Sequence, residues 1–235
     1  MTQRELNLKN ANTFLEKYIN PKLGGKKKIA IQEKESSKLM RLIGWFLAAT
    51  KINTTFMNQY ITTIGTTIYF PKHLLETISS RRFMEVVIHE SVHAVDEHEN
   101  LLLYKPSYLP ELFIGLPLLI LSIVLFGFKI WVTASILLGL CILCLLPVPK
   151  PGRFHWEIRA YSTSLAVADY FGYDQGFKDQ IIKWVIGQLA GPSYYFTWPF
   201  KSNITKILTE TKIDSIALHK EIKSFFGSDF QENVS

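Results

Sequence analysis

Two stretches without a charged residue stand out along the chain: Leu112 to Phe128 and Ile130 to Val148, with Lys129 alone between them. As helices they would be about 25 and 29 Å long, close to the ~30 Å hydrocarbon thickness of a bilayer. Neither shows a polar face, so the pattern predicts a transmembrane helical hairpin turning at Gly127-Phe128-Lys129. Gly115 and Pro117 in the first stretch are tolerated in membrane helices. The tip is very short, which leaves a re-entrant or shallow hairpin as the variant reading. A buried hairpin in a soluble core is the third.

Elsewhere the spacing is that of a folded polar domain. Ala11 to Tyr18 predicts a short helix stopping near Pro21, with Gly24-Gly25 loosening the connection, and Ile29 to Ile31 a short strand. Ser36 to Ala49 predicts a helix with Leu39, Leu42, Ile43 and Phe46 on one stripe; too short to span a bilayer, that stripe is assigned to a core. Tyr60 to Phe70 alternates Ile64, Thr66, Ile68 and Phe70 with Gly65, Thr67 and Tyr69, which reads as one strand ending at Pro71. Ser79-Ser80 can cap a helix carrying Phe83, Val86, Val87 and Val92. After the hairpin, Phe154 to Tyr170 and Gln180 to Leu189 are helical, ended by Gly172 and Gly191-Pro192, and Ile204 to Phe226 completes the fold. The aromatic stretch Tyr194 to Phe200 suits a membrane interface or a packed core equally. The class expected is α+β, mainly helical, with a small sheet.

Composition sharpens this. Hydrophobic residues make up 48%, charged residues 20%, and mean hydropathy is +0.12, a polar body with concentrated apolar segments. The net charge of +6 does not form a basic stripe with interleaved aromatics, so nucleic acid is not an expected partner. Lys26-Lys27-Lys28 is the one basic run, a solvated loop or a contact for anionic headgroups. Met1 to Lys9 is polar and no early apolar run follows, so no signal peptide is expected. Lys105, Lys150 and Arg153 flank the hairpin, which predicts an integral membrane protein with two spans and cytosolic termini. Asn53-Thr54-Thr55 and Asn203-Ile204-Thr205 fit a glycosylation pattern but would stay bare there. Cys141 and Cys144 lie inside the second apolar stretch, where CxxC reads as small helix- or lipid-facing residues, without a disulfide framework.

Chemistry enters at His89-Glu90-Ser91-Val92-His93. Helical residues four apart share a face, so His89 and His93 can ligate one metal ion, and Glu90 can polarise a water without binding the metal. A catalytic zinc usually takes three protein ligands and keeps one position open. Gly at 96 and His at 99 would extend the motif, but Asp96 and Glu99 stand there. Glu157, in Trp156-Glu157-Ile158-Arg159-Ala160-Tyr161, is the favoured third ligand because a separate helix can approach the ion from another side. Asp96 is the next candidate, His98 lies nearby, and His155 points elsewhere on its helix. Asp96 could instead accept a ligand histidine's second N–H. Tyr161, one turn beyond Glu157, could donate to a developing oxyanion or pack as a core aromatic. Arg159 could hold substrate, though a surface salt bridge is the plainer role.

HExxH, an apolar hairpin and a glutamate on a later helix together resemble the gluzincin metallopeptidases. The nearest layout is that of the membrane-embedded M48 peptidases, which include prenyl-protein and stress-response proteases. Their Glu-x-x-Ala-Asp segment is matched by Glu157-Ile158-Arg159-Ala160-Tyr161, with Tyr161 in place of the aspartate, and this chain has no apolar span ahead of HExxH. The resemblance covers about Tyr60 to Tyr170. It implies a zincin-like core in two parts, residues 1–108 and 151–235, around a transmembrane hairpin at 109–150. It also implies Zn2+ on His89, His93 and Glu157, with Glu90 as general base; Tyr161, one turn beyond Glu157, is taken from its position as a further catalytic group. The partners implied are protein or peptide substrates and the lipid bilayer. The alternative of another class is a metal-stabilised membrane adaptor without catalysis.

Overall fold

The computed structural model describes residues 1–25, 27–51, 54–145, 149–191, 197–212 and 215–231. Lys26 of the basic run, Asn53, the end of the second apolar stretch at 146–148 and Pro192 to Phe196 lie outside the described residues. The chain is mainly helical with one three-stranded sheet. It divides into two compact units, each built from separated segments. The first comprises Met1–Val95, Ala166–Gly172 and Ile213–Ser235; the second comprises Asp96–Leu165 and Tyr173–Lys212.

In the first unit, α1 (Gln3–Phe14) opens on a capping box. The Thr2 hydroxyl accepts from the Glu5 amide at 3.2 Å, and the Glu5 carboxylate accepts from the Thr2 amide at 2.7 Å. That reciprocal pair starts the helix well before the expected Ala11. A π-helical turn, Leu15–Ile19, continues it and buries Leu15 and Ile19. β1 (Ala30–Glu33) leads to α2 (Lys38–Ala49), capped by the Ser37 hydroxyl, and then α3 (Phe56–Gln59). The expected single strand over Tyr60 to Phe70 is two strands, β2 (Thr62–Ile64) and β3 (Thr67–Phe70). Gly65 turns the chain between them at φ +60, a conformation that glycine adopts without steric cost. β3 is central: β2 pairs with it antiparallel, Thr63 opposite Ile68, and β1 pairs with it parallel, Ile31 opposite Ile68. α4 (Lys72–Thr77) connects to α5 (Ser80–Glu99). Buried Phe70 packs on buried Phe83 with ring centroids 4.9 Å apart, which seats α5 on the sheet.

The stripe on α2 corrects an expectation. Of this helix only Met40 and Gly44 are buried, while Leu39, Leu42 and Phe46 are exposed and Ile43 is half-buried. The docked side is the narrow one, where Gly44 lies against Met57 so closely that a Cβ would stand 2.6 Å from its Cγ. Short as it is, the helix buries only this narrow side and keeps its apolar stripe at the surface.

Lys34, between β1 and α2, is fully buried. Its ammonium donates to the Phe56 carbonyl at 2.8 Å and sits 3.6 Å from the centroid of the Phe56 ring. Burial lowers its pKa to about 8, against the opposing pull of the Glu35 charge. An unfolded lysine keeps its proton to about pH 10.4, so above pH 8 the unfolded chain binds more protons than the folded one. Stability then rises with pH across that window, by up to about 3 kcal/mol. Lys34→Met should remove this rise in urea unfolding measured from pH 7.5 to 10; parallel curves for the two proteins would refute it.

In the second unit, α6 (Leu101–Tyr108) is followed by a π-helical turn, Glu111–Gly115, and α7 (Leu116–Gly127). α8 (Trp131–Leu145) packs back on α7, the Ser122 hydroxyl donating to the Ala134 carbonyl at 2.8 Å. The hairpin helices are thus 12 and 15 residues long. Among the described residues no single helix is long and apolar enough to cross a membrane; Leu101–Tyr108 and Phe113–Gly127 reach that length only as a pair bent by 98°. The thiols of Cys141 and Cys144 are free. Cys144 lies against Gly115, where a Cβ would stand 3.3 Å from its own, so this CxxC serves helix packing.

α9 (Pro151–Tyr170), α10 (Gln175–Leu189) and α11 (Lys201–Glu210) complete the unit. Asp174 caps α10 by accepting from the Phe177 amide at 2.7 Å, which starts that helix five residues ahead of the expected Gln180. Phe154, Ile158, Tyr161 and Leu165 of α9 form a core with Ile182, Val185 and Leu189 of α10 and Ile204 and Leu208 of α11. Trp198 stacks on Phe154 at 4.6 Å, so this part of the aromatic stretch is core packing, while Phe200 is exposed.

Candidate metal centre

Two helices belong to both units. α5 ends and α9 begins in the second, and the rest of each lies in the first. Contacts inside each unit bring them together. In the first, the Arg81 guanidinium donates to the Phe171 carbonyl at 3.2 Å. In the second, the Arg159 guanidinium meets the Asp96 carboxylate at 3.2 Å. In the first unit the start of α5 therefore lies near the end of α9, and in the second Asp96 of α5 lies near Arg159 of α9.

The HExxH residues follow from the face α5 buries. Its amide at Arg82 donates to the Ser79 hydroxyl at 3.4 Å, and Phe83, Val87, Ile88 and Val92 point inward at helical spacing. His89 and His93 share a neighbouring face, one turn apart, with ring centroids 5.0 Å apart and planes at 79°. Ligand atoms of His89, His93 and Glu157 lie within 4.8 Å of one another, and no other such group occurs among the described residues. Of the three, His93 and Glu157 are buried, while His89, like Glu90 beside it, keeps part of its surface open.

Two imidazoles and a carboxylate form a donor set that catalytic zinc uses. Ligands at roughly 2.0–2.2 Å in tetrahedral array stand about 3.4 Å apart, so atoms already within 4.8 Å of one another need only a short inward movement to share an ion. Side-chain torsions supply that range. The donor set and its convergence fit a metal ion.

The other candidates are placed differently. Asp96 is buried, with its carboxylate 3.2 Å from the guanidinium of the half-exposed Arg159. His98 and His155 are exposed. Tyr161 is buried in the core of its unit, its ring edge-on to Trp184 at 5.8 Å.

Two polar partners were not legible in the sequence. The Tyr108 hydroxyl donates to the Glu157 carboxylate from 49 residues away. α6 and α9 are in close contact there: a Cβ at Gly152 would stand 2.5 Å from that of Ser107, and the Trp156 indole donates to the Ser107 hydroxyl at 2.9 Å. The second partner is Thr63 on β2, whose hydroxyl donates to Glu90 Oε2 at 2.7 Å. The expected strand across the site was the one hint of Thr63. Tyr108 carried no signal, since it precedes an apolar stretch like any flanking aromatic.

A hydrogen bond to a ligating carboxylate fixes its rotamer and is worth roughly 10- to 100-fold in metal affinity. Tyr108→Phe should therefore weaken metal binding by about that factor while melting stays close to wild type. Competition against a chromophoric chelator measures it, and an unchanged affinity would exclude Tyr108 from positioning Glu157.

Comparison with models of known protein families, with curated proteins and with solved structures found no match.

Proposed function

We propose that this protein is a zinc-dependent metallopeptidase working at a membrane surface. The observation that carries the reading is the convergence of His89, His93 and Glu157 beside a glutamate held by Thr63. When bound, zinc supplies Lewis-acid chemistry, making a water nucleophilic near neutral pH and polarising a peptide carbonyl. Glu90 accepts the proton that the attacking water gives up and delivers it to the departing amine as the C–N bond breaks. Thr63 orients Glu90 for both transfers. β2 is an edge strand of the sheet, paired on one side to β3, so an extended peptide could lie along its other edge.

A membrane setting is supported by the surface of the hairpin. Ile120, Ile123, Val132 and Ile136 are 56, 61, 75 and 59% exposed, an apolar face that water would not favour. The helical run Phe113–Gly127 and α8 are each about 15 residues, or roughly 22 Å, so insertion would be shallow, entering and leaving one leaflet. Lys105, Lys150 and Arg153 at its base suit the cytoplasmic leaflet. Substrates would then be protein segments near that surface. The adaptor reading would leave Glu90 only its structural bond to Thr63, because a structural metal site needs no base.

The test is hydrolysis of a mixed peptide library by the zinc-loaded protein, read by mass spectrometry. Cleavage should vanish on chelation and return with Zn2+. Cleavage that survives chelation, or none by the loaded protein, would overturn the proposal.

A further inference from the structure

We propose that α2 is an interfacial helix that lies on anionic lipid headgroups. Its outer face is apolar: Leu39, Leu42, Trp45 and Phe46 are 47, 62, 68 and 54% exposed. At 100° per residue these four side chains cover an arc of about 120°, the width of a face that can sink into a headgroup layer. The opposite face is occupied, with Met40 and Gly44 buried and Gly44 closed against Met57. Rotation of the helix would not hide the stripe.

Charge selects the occupant. From Glu35 to Glu76 the chain has no intervening carboxylate, while Lys38, Arg41, Lys51 and Lys72 fall between them. All four are exposed. On the wheel Lys38 falls inside the arc between Trp45 and Leu42, and Arg41 lies about 40° beyond Trp45, both in position to reach phosphates as the rings sink. Trp45, at the edge of the face between these two cations, is the residue type that prefers the headgroup boundary. A second copy of the same face would bring Lys38 and Arg41 against like charges, with no acid on either helix to offset them. An anionic bilayer offers complementary charge and an apolar layer together. This contact is independent of the metal centre and separate from the hairpin, and it holds whether or not the protein is an enzyme.

The experiment uses the full chain, hairpin intact, with vesicles of phosphatidylglycerol or of phosphatidylcholine carrying brominated acyl chains. Bromine near the headgroup boundary should quench a component of the tryptophan fluorescence that is missing in Trp45→Phe, and it should do so on the anionic vesicles. Lys38→Glu with Arg41→Glu should weaken binding to those vesicles by roughly 30-fold or more, at about fivefold for each cation. Thermal melting of each variant guards against a folding defect. Equal quenching with and without Trp45 would overturn the proposal. So would a concentration-dependent dimer abolished by Leu42→Glu, or a soluble acidic protein binding the face in place of the vesicles.

Discussion

Glu90→Gln is expected to keep the metal and to lose roughly 10²- to 10⁴-fold in peptide hydrolysis. The carboxamide matches the carboxylate in shape, and its oxygen can still accept from the Thr63 hydroxyl, so β2 and α5 keep their contact. Glu90 is not among the three converging ligands, so the metal site is untouched. What disappears is the base. Without it the attacking water has no group to take its proton, and the leaving amine has none to supply one. Single-turnover peptide cleavage and zinc content, measured on the same preparation, give both halves of the expectation. Retained hydrolysis would sink the catalytic role and favour the adaptor. Loss of the metal would mean that Glu90 holds the site together. Thr63→Val tests the same contact more gently, since it leaves the carboxylate but frees its rotamer.

The parts of this architecture that could be read from sequence are those fixed by short-range spacing. HExxH places two imidazoles on one helical face by periodicity alone, and the Ser79 cap locates the start of that helix. Glu157 was found by a requirement, since a metal needs a ligand from another direction, rather than by a pattern. Tyr108 could not be found that way: its bond to Glu157 depends on the close approach of α6 to α9 at Ser107 and Gly152. The strand from Tyr60 to Phe70 kept its alternation through Gly65, which hid a turn inside a regular pattern. α2 shows the reverse failure. Its apolar periodicity was legible, but periodicity does not say whether a face meets protein or something else. Tyr161 lies on the same turn-to-turn row as Glu157, yet its ring packs into the core with Trp184. Helical spacing predicts a direction, and the neighbouring helices decide what stands there.

Glu157→Ala should abolish tight metal binding, because it removes the one of these three converging ligands that α5 does not supply. Two histidines one turn apart can hold zinc, but only from one side, and the remaining positions fall to water. The expected loss exceeds the roughly 10- to 100-fold typical of an outer hydrogen-bond partner, so it should be larger than for Tyr108→Phe. Metal-induced stabilisation gives a second readout. At a free zinc concentration about 100 times the wild-type Kd, binding adds about 2.7 kcal/mol to unfolding, and the variant should show little of it. Glu157 is buried, so alanine could also loosen the helix pair. Glu157→Gln separates the two effects, since it keeps the volume and an acceptor for Tyr108 while removing the charge that balances the ion. Asp96→Asn serves as the contrast: its partner is the half-exposed Arg159, so metal affinity should change little. If Asp96→Asn releases the metal and Glu157→Gln does not, the ligand set is His89, His93 and Asp96, and α9 serves only as support. If both glutamate variants release it while Asp96→Asn retains it, the third ligand comes from α9.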